Sequence, residues 1–309
     1  MAESSIRGQF VWHQLMTTDM TSAAAFYGKV AALKTQPVPG DPSFVLLVAS
    51  AGRMGGLRTL GAEAKVTSAS PTWLSYIGTL NVEESARQAA SLGGKIIKPP
   101  ADMGGGGRFA ILQDPQGAVF AIYQSPQPYS PQATVPLGQC SWHELVTTDH
   151  AAAFAFYQQL FGWDTTSSMD MGPQGVYRMY GPAGAKEPFG GMYNKSPQQP
   201  GPAWLPYIKV ADAKTATAKA KAAGAQIQHG PAEVPGGGWI STGIDPQGAM
   251  FAVHSVAAVA KPTSKPAAKA TRKLKAAPKR KATPKRRAAP KKKAKAAPRR
   301  AKRRAGSKK

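Results

Sequence analysis

The chain has 309 residues, with 40 Lys and Arg against 16 Asp and Glu, for a net charge of +24. Its single cysteine, Cys140, excludes an intramolecular disulfide, a zinc finger and an iron–sulfur cluster, and fits a reducing cytoplasm. No run approaches the ~18 apolar residues of a membrane span, and Met1–Arg7 lacks the apolar centre of a secretory signal, so neither membrane insertion nor export is expected.

In chain order, an apolar strand runs through FVWHQLMTTD and ends at Asp19, placed to cap a helix that contains Phe26 and Tyr27. A β-rich run at Phe44–Val48 and a strand beginning at Trp73 follow. The spacing then predicts a helix over Glu83–Leu92 stopped by Gly93, a loop at Gly104–Gly107, a strand, a DPQG turn at Asp114–Gly117 and a last strand holding Phe120. Four prolines (Pro126, Pro128, Pro131, Pro136) mark 126–137 as an exposed linker.

The same order then repeats. CSWHELVTTD at Cys140–Asp149 matches the first segment 130 positions on, and Phe156-Tyr157 keeps that offset. The helix AAAFAFYQQLF, stopped by Gly162, spaces Phe154, Tyr157, Leu160 and Phe161 for one buried face. After a one-residue gain, Trp204, Tyr207, Gly224 and the second DPQGA segment (Asp245–Ala249) match Trp73, Tyr76, Gly93 and Asp114–Ala118. A second helix is predicted over Ala213–Ala223 and a second glycine loop at Gly236–Gly238. The glycine loops precede strands rather than helices, so they are expected to be turns rather than phosphate cradles. The body is therefore a duplication, with domains at 8–125 and 138–256.

The strand–helix–three-strand order, D-x(6)-FY in the first helix and DPQG before the last strand resemble the vicinal-oxygen-chelate superfamily of glyoxalases, extradiol dioxygenases and bleomycin-binding proteins. The WHEL-TTD and DPQGA-x-F segments are most similar to tandem, glyoxalase-like bacterial proteins. The resemblance implies an α+β fold in which each domain pairs two βαβββ modules into an open, cup-shaped sheet. It also implies metal ligands seven residues before the helix-capping Asp and seven after the Asp of the DPQG turn. Those positions hold Trp12 and Ala121 in the first copy and Trp142 and Ala252 in the second, with Leu74 and Leu205 on the remaining strand. None of these side chains offers a lone pair to a divalent ion. No cofactor is expected, and a divalent metal would be conceivable only in the second domain.

Strand alternation sets Glu144 on the face of Trp142, and His254 on the face of Ala252. These two are the candidate catalytic pair, as base and partner, of a lyase- or glyoxalase-type reaction. The first copy has Gln14 and Tyr123 instead. The plainer expectation is that Glu144 and His254 are rim polar groups. The candidate ligand-binding set is Trp12, Gln14, Trp73 and Tyr76, with Trp142, Glu144, Tyr177, Trp204 and Tyr207 in the second cup. Aromatic walls with few polar handles suit an unidentified flat or amphipathic small molecule, to be transformed or merely sequestered. His13 and His143 point to the opposite face and are expected to be hydrogen-bonded structural residues.

Residues 261–309 hold 23 of the 40 basic residues and no acidic one, which leaves 17 basic and 16 acidic residues, a net of +1, for 1–260. The segment has no aromatic residue and one large aliphatic, Leu274, so it is expected to be disordered alone. Its AAPKRK-type units resemble the tails of linker histones and bacterial histone-like proteins. DNA is the expected partner, held non-specifically through Lys273, Lys275, Lys279, Arg280, Lys281, Lys285, Arg286, Arg287, Lys291, Lys292, Lys293, Arg299, Arg300, Arg303 and Arg304. Nucleoid association follows from that expectation, and a homodimer is a further one.

Overall fold

A computed structural model describes residues 6–61, 70–130, 132 and 134–256. The basic segment 261–309, with every DNA-binding residue expected in it, lies outside the described residues. Asp19 caps α1 (Met20–Ala31), accepting from the amides of Thr21 and Ser22, and Asp149 does the same for α3 (His150–Phe161) through Ala151 and Ala152. The repeated Thr-Thr-Asp segment thus starts both helices as expected, because a short carboxylate satisfies amides that lack an intrahelical partner. α3 stops at Gly162, whose φ of 74° favours a residue without Cβ. The remaining helices are α2 (Val82–Ser91), capped by Asn81, and α4 (Ala213–Ala222), capped by Asp212.

The first sheet comprises β1 (Phe10–Thr17), β2 (Lys34–Pro37), β3 (Phe44–Ala49), β4 (Gly52–Thr59), β5 (Thr72–Gly78), β6 (Lys95–Met103), β7 (Gly107–Gln113) and β8 (Val119–Gln124). The second repeats this set with β9 (Cys140–Thr147), β10 (Trp163–Asp170), β11 (Val176–Pro182), β12 (Gly190–Asn194), β13 (Ala203–Lys209), β14 (Gln226–Val234), β15 (Gly238–Ile244) and β16 (Met250–Ser255). Their orders, β2-β3-β4-β1-β5-β8-β7-β6 and β10-β11-β12-β9-β13-β16-β15-β14, correspond strand for strand. Each sheet joins two βαβββ modules through an antiparallel pair, β1 with β5 and β9 with β13. Both glycine loops are the turns of hairpins, between β6 and β7 and between β14 and β15.

On their helix-covered sides the two halves share their cores. One core takes Leu15, Tyr27 and Leu57 from the first half with Ile208, Ala216 and Phe251 from the second. The other takes Ile77, Ala86 and Phe120 with Leu145, Tyr157 and Trp163. The helix-covered faces are therefore buried against each other, and the described residues form one compact unit.

The repeated FY and DPQG motifs lie at this junction. Tyr27 donates its hydroxyl to Asp245 at 3.0 Å and accepts from the Trp73 indole at 3.2 Å. Tyr157 likewise donates to Asp114 at 2.9 Å and accepts from Trp204 at 2.9 Å. Each tyrosine thus reaches the DPQG turn of the other half. Each aspartate uses its second oxygen to accept amides of its own turn, including those of Ala118 and Ala249.

Those bonds correct one expectation. Trp73 and Trp204 do not line the cups. They lie 4% exposed in the shared cores, with their indole N–H groups on buried tyrosines. The reason is strand parity: Trp73 and Tyr76 are three residues apart, so they point to opposite faces, as do Trp204 and Tyr207.

Between the sheets, His13 and His143 meet Nε2 to Nε2 at 2.9 Å, both 5% exposed. His143 also lies flat on Phe10, with ring centroids 3.7 Å apart. Both are hydrogen-bonded histidines on the helix-side face as expected; they bond each other, and each also has a backbone partner, Met54 for His13 and Phe189 for His143.

Candidate ligand site

The face of the second sheet turned away from the helices gathers Trp142, Leu205, Tyr207, Ala252 and Ile240 around an acid, Glu144. β9 supplies Trp142 and Glu144 at alternate positions, and β13 sets Tyr207 opposite Trp142 and Leu205 opposite Glu144. Tyr177 comes from β11 and lies over Gly191 of β12, where an added Cβ would stand 2.2 Å from its ring. The missing side chain at 191 is what lets Tyr177 reach Glu144.

The polar groups form a directed chain. The Trp142 Nε1–H donates to Tyr177 Oη at 2.9 Å. Tyr177 in turn donates to Glu144 Oε2 at 2.9 Å, and Tyr207 donates to Oε1 at 2.9 Å. An indole N–H can only donate, so the Tyr177 proton is free only for the carboxylate. Burial raises the Glu144 pKa, and the two tyrosine hydrogen bonds oppose that rise. Burial, and then the neighbouring charge of Glu144, hold the Tyr177 and Tyr207 hydroxyls well above their ordinary pKa. Tyr193 stacks on Tyr177 with centroids 5.8 Å apart, and its pKa is pushed up to about 12 by burial and then by Glu144. Glu144 is therefore a half-buried carboxylate held by two tyrosine hydroxyls.

His254 does not join it. β13 pairs antiparallel with β9 and parallel with β16, with Glu144 level with Leu205 and His254 level with Lys209. That offset of four residues is about 13 Å along the strands, before the two-strand separation is added. His254 instead bonds Ser141 Oγ through Nδ1 at 2.9 Å, and burial, then Lys209, lower its pKa. The candidate catalytic pair is thus two separate residues.

The first cup holds Trp12, Leu74, Tyr76, Ala121, Phe109 and Tyr123. Gln14 sits among them, and its amide donates to Met16 Sδ at 3.0 Å. Burial pushes the Tyr76 hydroxyl up to about 12. Arg58 stands level with Met16 but is engaged by Asp41 and by the Phe44 ring, 4.8 Å away. The first cup has no carboxylate at the Glu144 position. Two contributors escaped sequence reasoning: Tyr193, whose alternation with Gly191 could have shown it, and Gly191, whose role depends on the packing of Tyr177.

The positions at which the fold would supply metal donors carry Trp142, Ala252 and Leu205 in this cup, and both oxygens of the nearby Glu144 already accept hydroxyl protons. Among the described residues no group of three His, Cys, Asp or Glu side chains could hold a metal ion. The residues present do not fit the metal that the fold implies.

Two tandem cup-shaped sheets of paired βαβββ modules define a class, and the sequence matches its family model. The chain belongs to the glyoxalase/bleomycin resistance protein/dioxygenase superfamily, matched over residues 9–122 and 137–253. It is 32% identical over 254 residues to CFP32 of Mycobacterium bovis, which carries a provisional glyoxylase name; the match covers 78% of this chain and 92% of that protein. It is 24% identical over 283 residues to the anthracycline biosynthesis protein DauV of a Streptomyces species, covering 80% and 92%. Among solved structures it resembles the Mn(II)-bound glyoxalase of Novosphingobium aromaticivorans, with a TM-score of 0.58, 16% identity and coverage of 81% and 82%. That likeness is one of fold. Among the described residues no helix is long and apolar enough to cross a membrane.

Proposed function

We propose that this protein binds a flat or amphipathic small molecule in its second cup without the metal usual in its superfamily, and that its basic C-terminal segment tethers it to DNA in the nucleoid of the cytoplasm. The Trp142–Tyr177–Glu144–Tyr207 chain carries the first part: it is a polar handle in an aromatic cup, built beside the positions where metal donors would stand. The name of the anthracycline biosynthesis relatives points to a polycyclic aromatic compound, which aromatic walls suit. Thermal-shift screening of the full chain against aromatic metabolites tests this part. Stabilisation that disappears in Trp142→Leu is expected, and its absence across the set counts against the reading.

The charge of 261–309 supports the tether, because a dense polycation releases counterions from a polyanion. It has no aromatic residue to stack on bases, so sequence-independent binding is expected. Gel-shift titration of the full chain against a 1–260 truncation tests it, and equal, salt-insensitive affinity for both would overturn it. A homodimer would have to use surfaces other than the helix faces, which one chain already buries; sedimentation resolves that question.

The second reading is a lyase- or glyoxalase-type enzyme. It is favoured by the raised Glu144 pKa, which suits a general base. Turnover abolished in Glu144→Ala but kept in His254→Ala would establish it, whereas ligand binding with no turnover would favour sequestration of a drug or metabolite.

A further inference from the structure

We infer that the second cup selects an organic cation, a protonated amine or quaternary ammonium carried on an apolar body, through Glu144 and the rings around it. This deepens the reading of that cup as a ligand site and rests on it. The starting observation is a missing partner. The described structure contains three ion pairs, made by Arg58 with Asp41 and by Arg108 with Glu83 and with Asp102, and none includes Glu144. A half-buried carboxylate ringed by aromatic side chains loses part of its hydration, and a cation that reaches it restores the lost compensation.

The hydrogen bonds show which form of the acid the cup is built for. Because Trp142 donates to Tyr177, the Tyr177 proton must go to Oε2, while Tyr207 offers its proton to Oε1. Two donors aimed at the two oxygens favour the ionised acid. A carboxylate has about four lone-pair sites, so two remain for a ligand.

The surroundings then choose among cations. Trp142, Tyr177 and Tyr193 are all partly accessible, and Tyr207 lies beside them. Their ring faces attract an alkylammonium by cation–π interaction. The Tyr177 and Tyr207 protons and the Trp142 N–H are directed around the carboxylate, and Glu144 is the one anionic oxygen ligand among these residues, where a hard metal ion needs several. The first cup has Gln14 at the place of Glu144 and serves as an internal comparison lacking the charge.

The test uses the full chain and two probes of equal shape, phenyltrimethylammonium and its neutral isostere tert-butylbenzene, titrated at low salt by tryptophan fluorescence and calorimetry. The cation is expected to bind at least tenfold more tightly than the isostere. Glu144→Gln should remove that preference and leave the isostere unchanged. Tyr193→Leu, which leaves every hydrogen bond of Glu144 in place, should weaken the cation several-fold and keeps the test valid if Glu144→Gln misfolds. Equal affinity for the two probes, or an unchanged preference in Glu144→Gln, overturns the inference while leaving the cup a ligand site. Failure of both probes overturns the inference, and the metabolite screen then decides the broader reading separately.

Discussion

Acid should loosen this protein through the pair of histidines between its sheets. Burial lowers the His13 pKa from 6.5 to about 4, opposed by a hydrogen bond to the Met54 backbone. His143 is lowered well below 6.5 by burial and then by His13, against a hydrogen bond to Phe189. The sign follows from proton counting. Between the folded and unfolded values the unfolded chain binds more protons, so stability is complete above about pH 6.5 and is lost as pH falls toward 4. For His13 alone the loss is about 2 kcal/mol by pH 5 and about 3 kcal/mol by pH 4, a large part of a typical folding free energy. The pair titrates jointly, so His143 adds to the loss in the same direction. Urea unfolding of the full chain, followed by tryptophan fluorescence from pH 7 to pH 4.5, measures it. Other groups titrate in the same range, so the comparison is with a His13→Leu/His143→Leu double variant, which removes both nitrogens and leaves neither unpaired. The stability difference between the two proteins should shift by more than the about 2 kcal/mol of His13 alone between pH 7 and pH 5, because both histidines contribute. A difference that stays flat over that interval would refute the assignment of a neutral, acid-labile pair.

Five further outcomes are expected. Tyr157→Phe strips Asp114 and Trp204 of one buried partner and should cost about 2 kcal/mol in urea unfolding; Tyr27→Phe should cost about the same at the mirrored site. Glu144→Gln should raise the stability of the ligand-free protein at pH 7, because a carboxyl whose folded pKa is raised loses stability as pH rises through the interval above its ordinary value; a lower melting temperature would contradict this. Gly191→Ala should displace Tyr177 and weaken ligand binding in the second cup with little change in the first, as read by titration and by Trp142 fluorescence. If about half of the 23 tail charges meet phosphates, the log–log salt slope for DNA binding should be roughly −10, and near zero for a 1–260 truncation.

Much of the fold was legible because its signals are local. The Asp19 and Asp149 caps, the Gly162 stop, the glycine turns and the doubled segments depend on neighbours within a few residues, and the structure has them where the spacing put them. The site was legible only in part. Trp142, Glu144 and Tyr207 could be placed on one face by alternation, but including Trp73 and Trp204 broke the same two-residue rule. Separating His254 from Glu144 required the register of three strands, which no single segment encodes.

The sequence by itself determined a duplicated body of +1, a +23 appendage and a cup lacking the expected metal donors. Tertiary structure decided what the repeated motifs are for. FY and DPQG recur in each half, yet Tyr27 bonds Asp245 and Tyr157 bonds Asp114 across the halves, so a repeat that looks self-contained locks each domain to the other. Tertiary structure also turned Glu144 from a lone acid on a strand into a carboxylate held by two tyrosines. Alternation tells which way a side chain points, whereas its partners come from strands and helices distant in sequence, and only packing brings those together.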